Sequence, residues 1–124
     1  MRYSVEAAGM TLGYSELLER DEGMGVAAGA FVPAPDYAKV QHIFRLFTES
    51  NAESSADATD EEMLARYYAA REALGLRLLD ASGREIGTSW IHIVDYSIEL
   101  GPEAMEIDVT ITDPAFWRPF PTDD

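Results

Sequence analysis

The chain has 124 residues, of which 47% are hydrophobic and 26% charged, and a chain of this size folds as one domain with its own core. This composition excludes a disordered chain, a collagen-like repeat and a multidomain enzyme. Asp and Glu number 23 against nine Lys and Arg, which gives a formal net charge of -14. We therefore expect residues 1–124 to form a single acidic globular domain.

The negative charge restricts the partners that this chain can bind. Nucleic acids and anionic membranes repel it, because both attract Lys and Arg through negatively charged phosphates. A basic protein would be attracted from a distance and would associate faster. The sequence thus predicts a basic protein partner, no nucleic acid and no membrane, although an acidic surface also serves solubility alone.

The cysteine and histidine content argues against a metal site or a cofactor. The chain has no Cys and only two His, His42 and His92, which are too few for a zinc site and exclude disulfides and a thiolate nucleophile. Residues 1–9 include an acid, Glu6, and so lack the apolar core of a signal peptide. No apolar stretch approaches the roughly 18 residues of a membrane span. We therefore expect no cofactor, no metal, no catalytic residue and a cytoplasmic location.

Alternating and apolar runs predict three strands in the first third of the chain. Residues 2–7 alternate, and a tight turn at Ala8-Gly9 lets residues 10–12 pair back onto them. Ser15 is then predicted to cap a single helical turn that extends to residue 20. Residues 26–32 are apolar and predict a buried strand, in which Gly29 indicates a bulge or a close neighbour.

Helical spacing of apolar residues predicts two helices in the middle of the chain. The first begins after Asp36 and carries an apolar stripe made of Tyr37, Val40, Ile43, Phe44 and Phe47. The second follows a capping box from Thr59 to Glu62 and ends at Gly75. Its predicted inward residues are Leu64, Tyr67, Tyr68 and Leu74. Residues 48–58 are polar and are expected to form a mobile acidic connection.

The last third alternates again and predicts further strands. Residues 76–79 and 84–86 form a hairpin, and residues 90–96 and 105–111 form longer strands. The alternation over residues 105–111 predicts a half-buried strand with Glu106 and Asp108 on an acidic, solvated face. The element order β-β-β-α-α-β-β-β predicts an α+β fold, with a single, mostly antiparallel sheet of five to six strands and two helices packed on one face. Two prolines then predict an irregular aromatic tail over residues 114–124.

The acidic residues are concentrated in two segments. Residues 48–62 carry six acids and no base, and residues 92–124 carry eight acids and one base. Binding hot spots also favour aromatic side chains, which the tail supplies. The predicted partner-binding residues are Glu53, Asp57, Asp60, Glu61, Glu103, Glu106, Asp108, Trp117 and Phe120. The leading hypothesis is a non-enzymatic binding protein of the immunity or inhibitor type. Such a protein would capture a basic partner, for example a nuclease toxin, by presenting carboxylates in place of phosphates.

Two other hypotheses stay open. A small enzyme or ligand-binding domain would place its pocket around Trp90, His92 and Tyr96, which share one face of a predicted strand. An accessory subunit would oligomerise through an open sheet edge or the aromatic tail. Asp95 is the acid to consider for acid–base chemistry, but its position instead predicts the exposed end of a strand. No nucleophile or phosphate-loop motif occurs.

Overall fold

The computed structural model describes residues 2–50 and 58–117, except for the side chains of residues 50, 58–60 and 63. Its strands are β1 (Tyr3–Ala7), β2 (Met10–Ser15), β3 (Glu19–Asp21), β4 (Val26–Ala30), β5 (Val32–Pro33), β6 (Arg77–Leu79), β7 (Glu85–Ile86), β8 (Thr88–Asp95) and β9 (Met105–Ile111). The α-helices are α1 (Gln41–Ser50), α2 (Ala58–Leu74) and the short α3 (Ser97–Leu100), and 3-10 helices cover Pro35–Lys39 and Pro114–Trp117.

The strands form two antiparallel sheets, so the α+β class is confirmed and the single sheet is wrong. One sheet has five strands in the order β5-β2-β1-β6-β7, and the other has four in the order β3-β4-β9-β8. The helices also number three in the described residues rather than two. Alternation identifies strands but carries no information on which strands pair, and this is why the sequence did not reveal the second sheet.

The chain crosses from the first sheet to the second just after β2, where the sequence predicts a helical turn. That prediction is wrong, because residues 16–18 are irregular and β3 begins at Glu19. The Ser15 hydroxyl accepts a hydrogen bond from the Leu17 backbone N–H at 3.1 Å. Leu17 is fully buried with a φ of 48°, a conformation that is costly for a residue with a side chain.

Gly29 makes room for this crossing. A Cβ atom at Gly29 would lie 2.9 Å from the Ser15 hydroxyl oxygen and 3.1 Å from the Leu17 backbone nitrogen. The chain then returns to the first sheet at Phe31, so the predicted strand over residues 26–32 is divided between β4 and β5. The expectation of a close neighbour at Gly29 is confirmed.

Buried side chains from both sheets and from the helices form one hydrophobic core. The two sheets contribute Val5, Leu12, Leu78, Ile93, Ile107 and Val109, and the helical region contributes Tyr37, Val40, Phe44 and Tyr67. Phe47, Leu64 and Leu74, predicted to face inward, are partly buried. Tyr68 was predicted to face inward as well, but it is 40% exposed.

The helices do not lie across one face of a single sheet. Helix α1 packs on α2 and along β8, the edge strand of the four-stranded sheet. Helix α1 extends through Ser50, so residues 48–50 are helical rather than part of the predicted connection. Residues 51–57 lie outside the described residues, and so does the side chain of Thr59, on which the predicted capping box depends.

The pairing of β8 with β9 defines two faces of the four-stranded sheet. Ile91, Ile93 and Asp95 pair with Val109, Ile107 and Met105, and all six are buried. On the opposite face, Trp90, His92 and Val94 pair with Thr110, Asp108 and Glu106. We call this second side the outer face. Along β8 the helices cover it, because His92 is buried and packs against Phe47 and Tyr67. Strand β9 therefore has the half-buried, acidic pattern that the sequence predicts.

Candidate acidic interface

Three carboxylates from two strands meet on the outer face of the four-stranded sheet. Glu106 and Asp108 are two residues apart on β9, so their side chains point to the same side. Glu19 on β3 pairs with Ala28, which in turn pairs with Asp108. Neighbouring strands lie about 4.8 Å apart. Glu19 and Asp108 are therefore separated by two such spacings, and only the small side chain of Ala28 lies between them. We call Glu19, Glu106 and Asp108 the acidic triplet.

The surroundings of Glu106 in the triplet disfavour its negative charge. Partial burial raises the pKa of Glu106, and hydrogen bonding with Asp108 and the negative charges of Asp108 and Glu19 raise it further. Each of these effects favours the neutral carboxylic acid over the carboxylate. The negative charge of Glu106 is therefore disfavoured in the folded protein. A cation placed beside Glu106 would favour the charged form instead.

Within residues 2–50 and 58–117, no ion pair connects Lys or Arg to the triplet. The described ion pairs lie elsewhere, and their acidic members are Glu6, Asp36, Glu49, Asp80, Glu85, Glu99 and Asp113. On this part of the surface the negative charge is therefore not neutralised by the described basic residues.

A shallow groove of about 340 Å³ adjoins the triplet. Glu103 and Glu106 line it together with a larger apolar set, namely Val94, Tyr96, Leu100, Ala104 and Met105. The structure thus brings together Glu103, Glu106 and Asp108 of the predicted partner-binding residues. Glu19 was missed by the sequence analysis, because a strand of three exposed residues gives no alternation that would identify its face.

The other predicted partner-binding residues do not join this surface in the described structure. Glu53, Asp57 and Phe120 lie outside the described residues, as does the side chain of Asp60. Glu61 is exposed in the first turn of α2.

Trp117, at the end of the second 3-10 helix, is partly buried. Its ring packs edge-on against Phe116 at 4.9 Å, and the Phe116 ring lies 5.5 Å from Tyr3 in the five-stranded sheet. Phe116, which is 7% exposed, therefore folds back onto the core.

His92 is a core residue rather than the centre of an open pocket. It is 5% exposed, and its ring packs against Phe47 at 4.3 Å and against Tyr67 at 5.4 Å. The Tyr67 hydroxyl and His92 Nδ1 share a hydrogen bond, and Nε2 has no hydrogen-bond partner among the described residues. Burial, together with the nearby Arg71 guanidinium, lowers the pKa of His92 to about 4. The imidazole is therefore neutral at pH 7.

The three residues of the alternative pocket are distributed over different environments. Trp90 lines a small cleft beside Arg71, whose guanidinium carbon lies 3.7 Å from the centre of the indole ring. Tyr96 lines the groove beside Glu103 and Glu106. His92 lies beneath Phe47 and Tyr67, so a pocket centred on its imidazole would require these two rings to move.

Asp95 is buried, and the prediction that it marks an exposed strand end is wrong. Its side chain accepts hydrogen bonds from the Tyr37 hydroxyl at 2.6 Å, Gln41 Nε2 at 3.1 Å and the Ser97 backbone N–H at 2.8 Å. Burial alone would raise the pKa of Asp95, but the hydrogen bonds from Ser97, Tyr37 and Gln41 outweigh it and lower the pKa. Asp95 is thus a structural carboxylate that is satisfied on all sides.

The residues of α1 that donate hydrogen bonds to Asp95 recur at helical spacing in the sequence. Arg45 Nη1 and the Thr48 hydroxyl donate to the Asp95 carbonyl at 2.8 and 2.9 Å. Gln41, Arg45 and Thr48 are three or four residues apart and so lie along one side of α1. A polar row directly beside the apolar stripe was the signal that would have indicated a buried polar partner.

Comparisons with known proteins place the chain in no family. No protein-family model matches it, and no significant match was found among curated proteins or solved structures.

The part of the chain that the structure describes contains neither a metal-binding cluster nor a membrane-spanning helix. No group of three or more His, Cys, Asp or Glu side chains there is arranged to hold a metal ion. None of the described helices is long and apolar enough to cross a membrane.

Proposed function

We propose that this protein is a non-enzymatic acidic binding protein of the inhibitor type, which captures a basic protein partner on the outer face of its four-stranded sheet. The observation that carries the proposal is the acidic triplet, in which Glu106 and Asp108 are in contact, Glu19 adds negative charge two strands away, and no described ion pair joins any of the three to Lys or Arg. A nuclease toxin, whose substrate site binds phosphates through basic residues, is the kind of partner that carboxylates in this arrangement would mask.

A partner that covers the outer face changes the environment of these carboxylates. Two opposite charges 4 Å apart attract by about 1 kcal/mol in water and by about 4 kcal/mol at the effective dielectric of a partly covered surface. A Lys or Arg of the partner would also offset the negative charges of Asp108 and Glu19, which add to partial burial in raising the pKa of Glu106. The net charge of -14 adds long-range attraction that accelerates the encounter.

The experiment begins by recovering binding proteins from the source cells at low salt and identifying them. Each purified candidate is then tested for its association rate with the wild type and with the triple variant Glu19→Gln, Glu106→Gln and Asp108→Asn. The matched control is Glu22→Gln, Glu72→Gln and Glu85→Gln, which removes three exposed acids that are not part of the triplet.

We expect the triplet variant to slow association at least tenfold and the control variant to slow it much less. Rising salt should slow the wild type, because exposed charges are screened beyond about 8 Å at physiological ionic strength. Equal rates for both triple variants, or a partner whose association does not depend on salt, would refute the proposal.

A further inference from the structure

The half-buried guanidinium of Arg71 lies among three aromatic rings. Its central carbon is 3.7 Å from the centre of the Trp90 ring and 5.2 and 5.3 Å from the centres of the Tyr67 and Tyr68 rings. Such contacts attract a cation to the ring faces and hold it in place. Stacking uses the flat face of a guanidinium and leaves the N–H donors at its edge for other partners.

Few of these donors are used within the part of the chain that the structure describes. Arg71 Nη1 donates to the Tyr67 hydroxyl at 3.4 Å, which is a long hydrogen bond. A guanidinium has five N–H donors. No ion pair joins Arg71 to Asp or Glu in the described residues, although the chain has 23 acids. The cation is therefore fixed in position and is not neutralised by a described carboxylate.

Two hydroxyl groups share a small cleft with this guanidinium. Thr88 and Ser89, at the start of β8, line a cleft of about 180 Å³ together with Arg71 and Trp90. The register of β8 on β9 shifts between Thr88 and Trp90, so that Ser89 is an extra residue. Bulges of this kind change the direction of side chains. Here Ser89 is exposed in the cleft instead of continuing the buried row that begins with Ile91.

The cleft lies in a part of the chain with little excess of acid. Residues 63–91 carry four bases and three acids, whereas the rest of the chain carries five bases and 20 acids. Two of the three acids, Asp80 and Glu85, are paired with arginines. The third, Glu72, lines the cleft, and its negative charge opposes the attraction of an anion to Arg71.

We propose that this cleft binds the phosphate group of a small ligand, with Arg71 as its cation and Thr88 and Ser89 as hydroxyl donors. A guanidinium can donate to two oxygens of a phosphate at once, which leaves a further oxygen for the hydroxyls. A carboxylate has only two oxygens, and the guanidinium would occupy both. The cleft is smaller than the roughly 300–1,000 Å³ of sites for drug-sized ligands, so it holds one such group rather than a whole cofactor.

The phosphate site goes beyond the proposed function and is separate from the acidic triplet. Trp90 and Val94, which pairs with Glu106, are four residues apart on β8. At about 3.4 Å per residue this spacing corresponds to about 13 Å, which exceeds the roughly 8 Å over which exposed charges act at physiological ionic strength. The two sites can therefore be tested independently.

The test titrates isotope-labelled protein with inorganic phosphate, phenyl phosphate or acetate, each replacing chloride at constant pH and ionic strength. The readouts are the amide signals and the indole N–H signal of Trp90. Arg71→Gln is compared with Arg66→Gln, which removes the same charge from an exposed position of α2 outside the cleft. Arg71→Lys keeps the charge and the aliphatic stem but loses the guanidinium fork. Ser89→Ala changes an exposed residue and leaves the core intact.

We expect both phosphates to shift signals of residues 71–76 and 88–91, and acetate to bind more weakly. Arg71→Gln should weaken phosphate binding about tenfold or more, as expected for the loss of a charged hydrogen bond. Arg71→Lys and Ser89→Ala should each weaken it by a smaller factor. Arg66→Gln should leave it nearly unchanged, because a distant exposed charge is screened.

Equal weakening by Arg71→Gln and Arg66→Gln would overturn the proposal, since phosphate would then respond only to the general charge of α2. Binding that survives unchanged in both Arg71→Lys and Ser89→Ala, or equal affinities for phosphate and acetate, would overturn it as well. Tighter binding of phenyl phosphate than of inorganic phosphate would identify a phosphate monoester as the ligand. Equal binding of the two would identify the free ion.

Discussion

The carboxylate of Asp95 at the end of β8 accepts a 2.6 Å hydrogen bond from the hydroxyl of Tyr37, which is 58 residues away in the 3-10 helix before α1. Both side chains are buried. This contact fixes the start of the helical region to the edge of the four-stranded sheet. It also belongs to the network that holds α3, whose last residue, Leu100, lines the groove beside Glu106.

Tyr37→Phe should lower the free energy of unfolding by about 1.5–3 kcal/mol, the range for a hydrogen bond to a charged group. The Asp95 pKa is lowered in the folded state, so its contribution to stability is present above the unfolded pKa and is lost as the pH falls through the folded pKa. The variant should raise the Asp95 pKa and reduce this contribution. Urea unfolding measures the effect, and Tyr68→Phe, at a 40% exposed residue, is the control. A loss equal to that of the control would contradict the assigned role.

His92 should make stability depend on pH between its two pKa values. The pKa is about 4 in the folded protein against an ordinary 6.5, so in this window the unfolded chain binds more protons and stability rises with pH. The contribution is complete above the unfolded pKa. Its loss between pH 7 and pH 5 should be about 2 kcal/mol, from 1.36 kcal/mol per pKa unit.

The measurement compares unfolding free energies of the wild type, His92→Gln and His42→Gln over this pH range. His92→Gln should be less stable at pH 7, because it loses the contact with Tyr67, but should lack the histidine part of the slope. His42 is exposed on α1, so His42→Gln should keep the wild-type slope. A His92→Gln slope identical to that of the wild type would show that His92 is not the titrating group.

Asp108→Asn should lower the pKa of Glu106, because it removes the nearest negative charge. Glu106 has a raised folded pKa, so its protonated form contributes stability that is lost as the pH rises through that pKa. At pH 7 the variant should therefore be more stable, by about 0.5 kcal/mol for a solvent-screened pair.

Carbon-detected titration of the Glu106 carboxyl gives the pKa, and urea unfolding gives the stability. Glu85→Gln serves as the control, because Glu85 is paired with Arg77 and its loss should not stabilise the protein. An unchanged Glu106 titration in Asp108→Asn would remove the electrostatic basis of the triplet.

Gly29→Ala should destabilise the protein by about 1–3 kcal/mol, the usual cost of forcing an extra methyl group into a packed site. The new Cβ would press on the Ser15 hydroxyl and on the backbone of Leu17, and backbone atoms cannot rotate away as a side chain can. Thermal unfolding measures the change. Ala30→Ser, at an exposed position of the same strand, should shift the midpoint much less, and equal shifts would mean that the crossing is not tightly packed.

Several features of the site were predictable from the sequence because they depend on residues close together along the chain. The alternation over residues 105–111 correctly placed Glu106 and Asp108 on the side opposite Ile107 and Val109. The apolar stripe of the first helix correctly identified Tyr37, Val40 and Phe44 as core residues. Strand and helix periodicity report which face is buried, and that is local information.

The sequence by itself thus determined the acidity, the α+β class, the helical stripes and the acidic side of β9, because composition and short-range periodicity encode them. Only the tertiary structure decided how the strands divide into two sheets, since a strand's own pattern does not name its neighbour. It alone brought Glu19 to the row of Asp108 and buried Asp95 under Tyr37 and Gln41. These relationships join residues about 50 to 90 positions apart, and they form only when the whole chain has packed around one core.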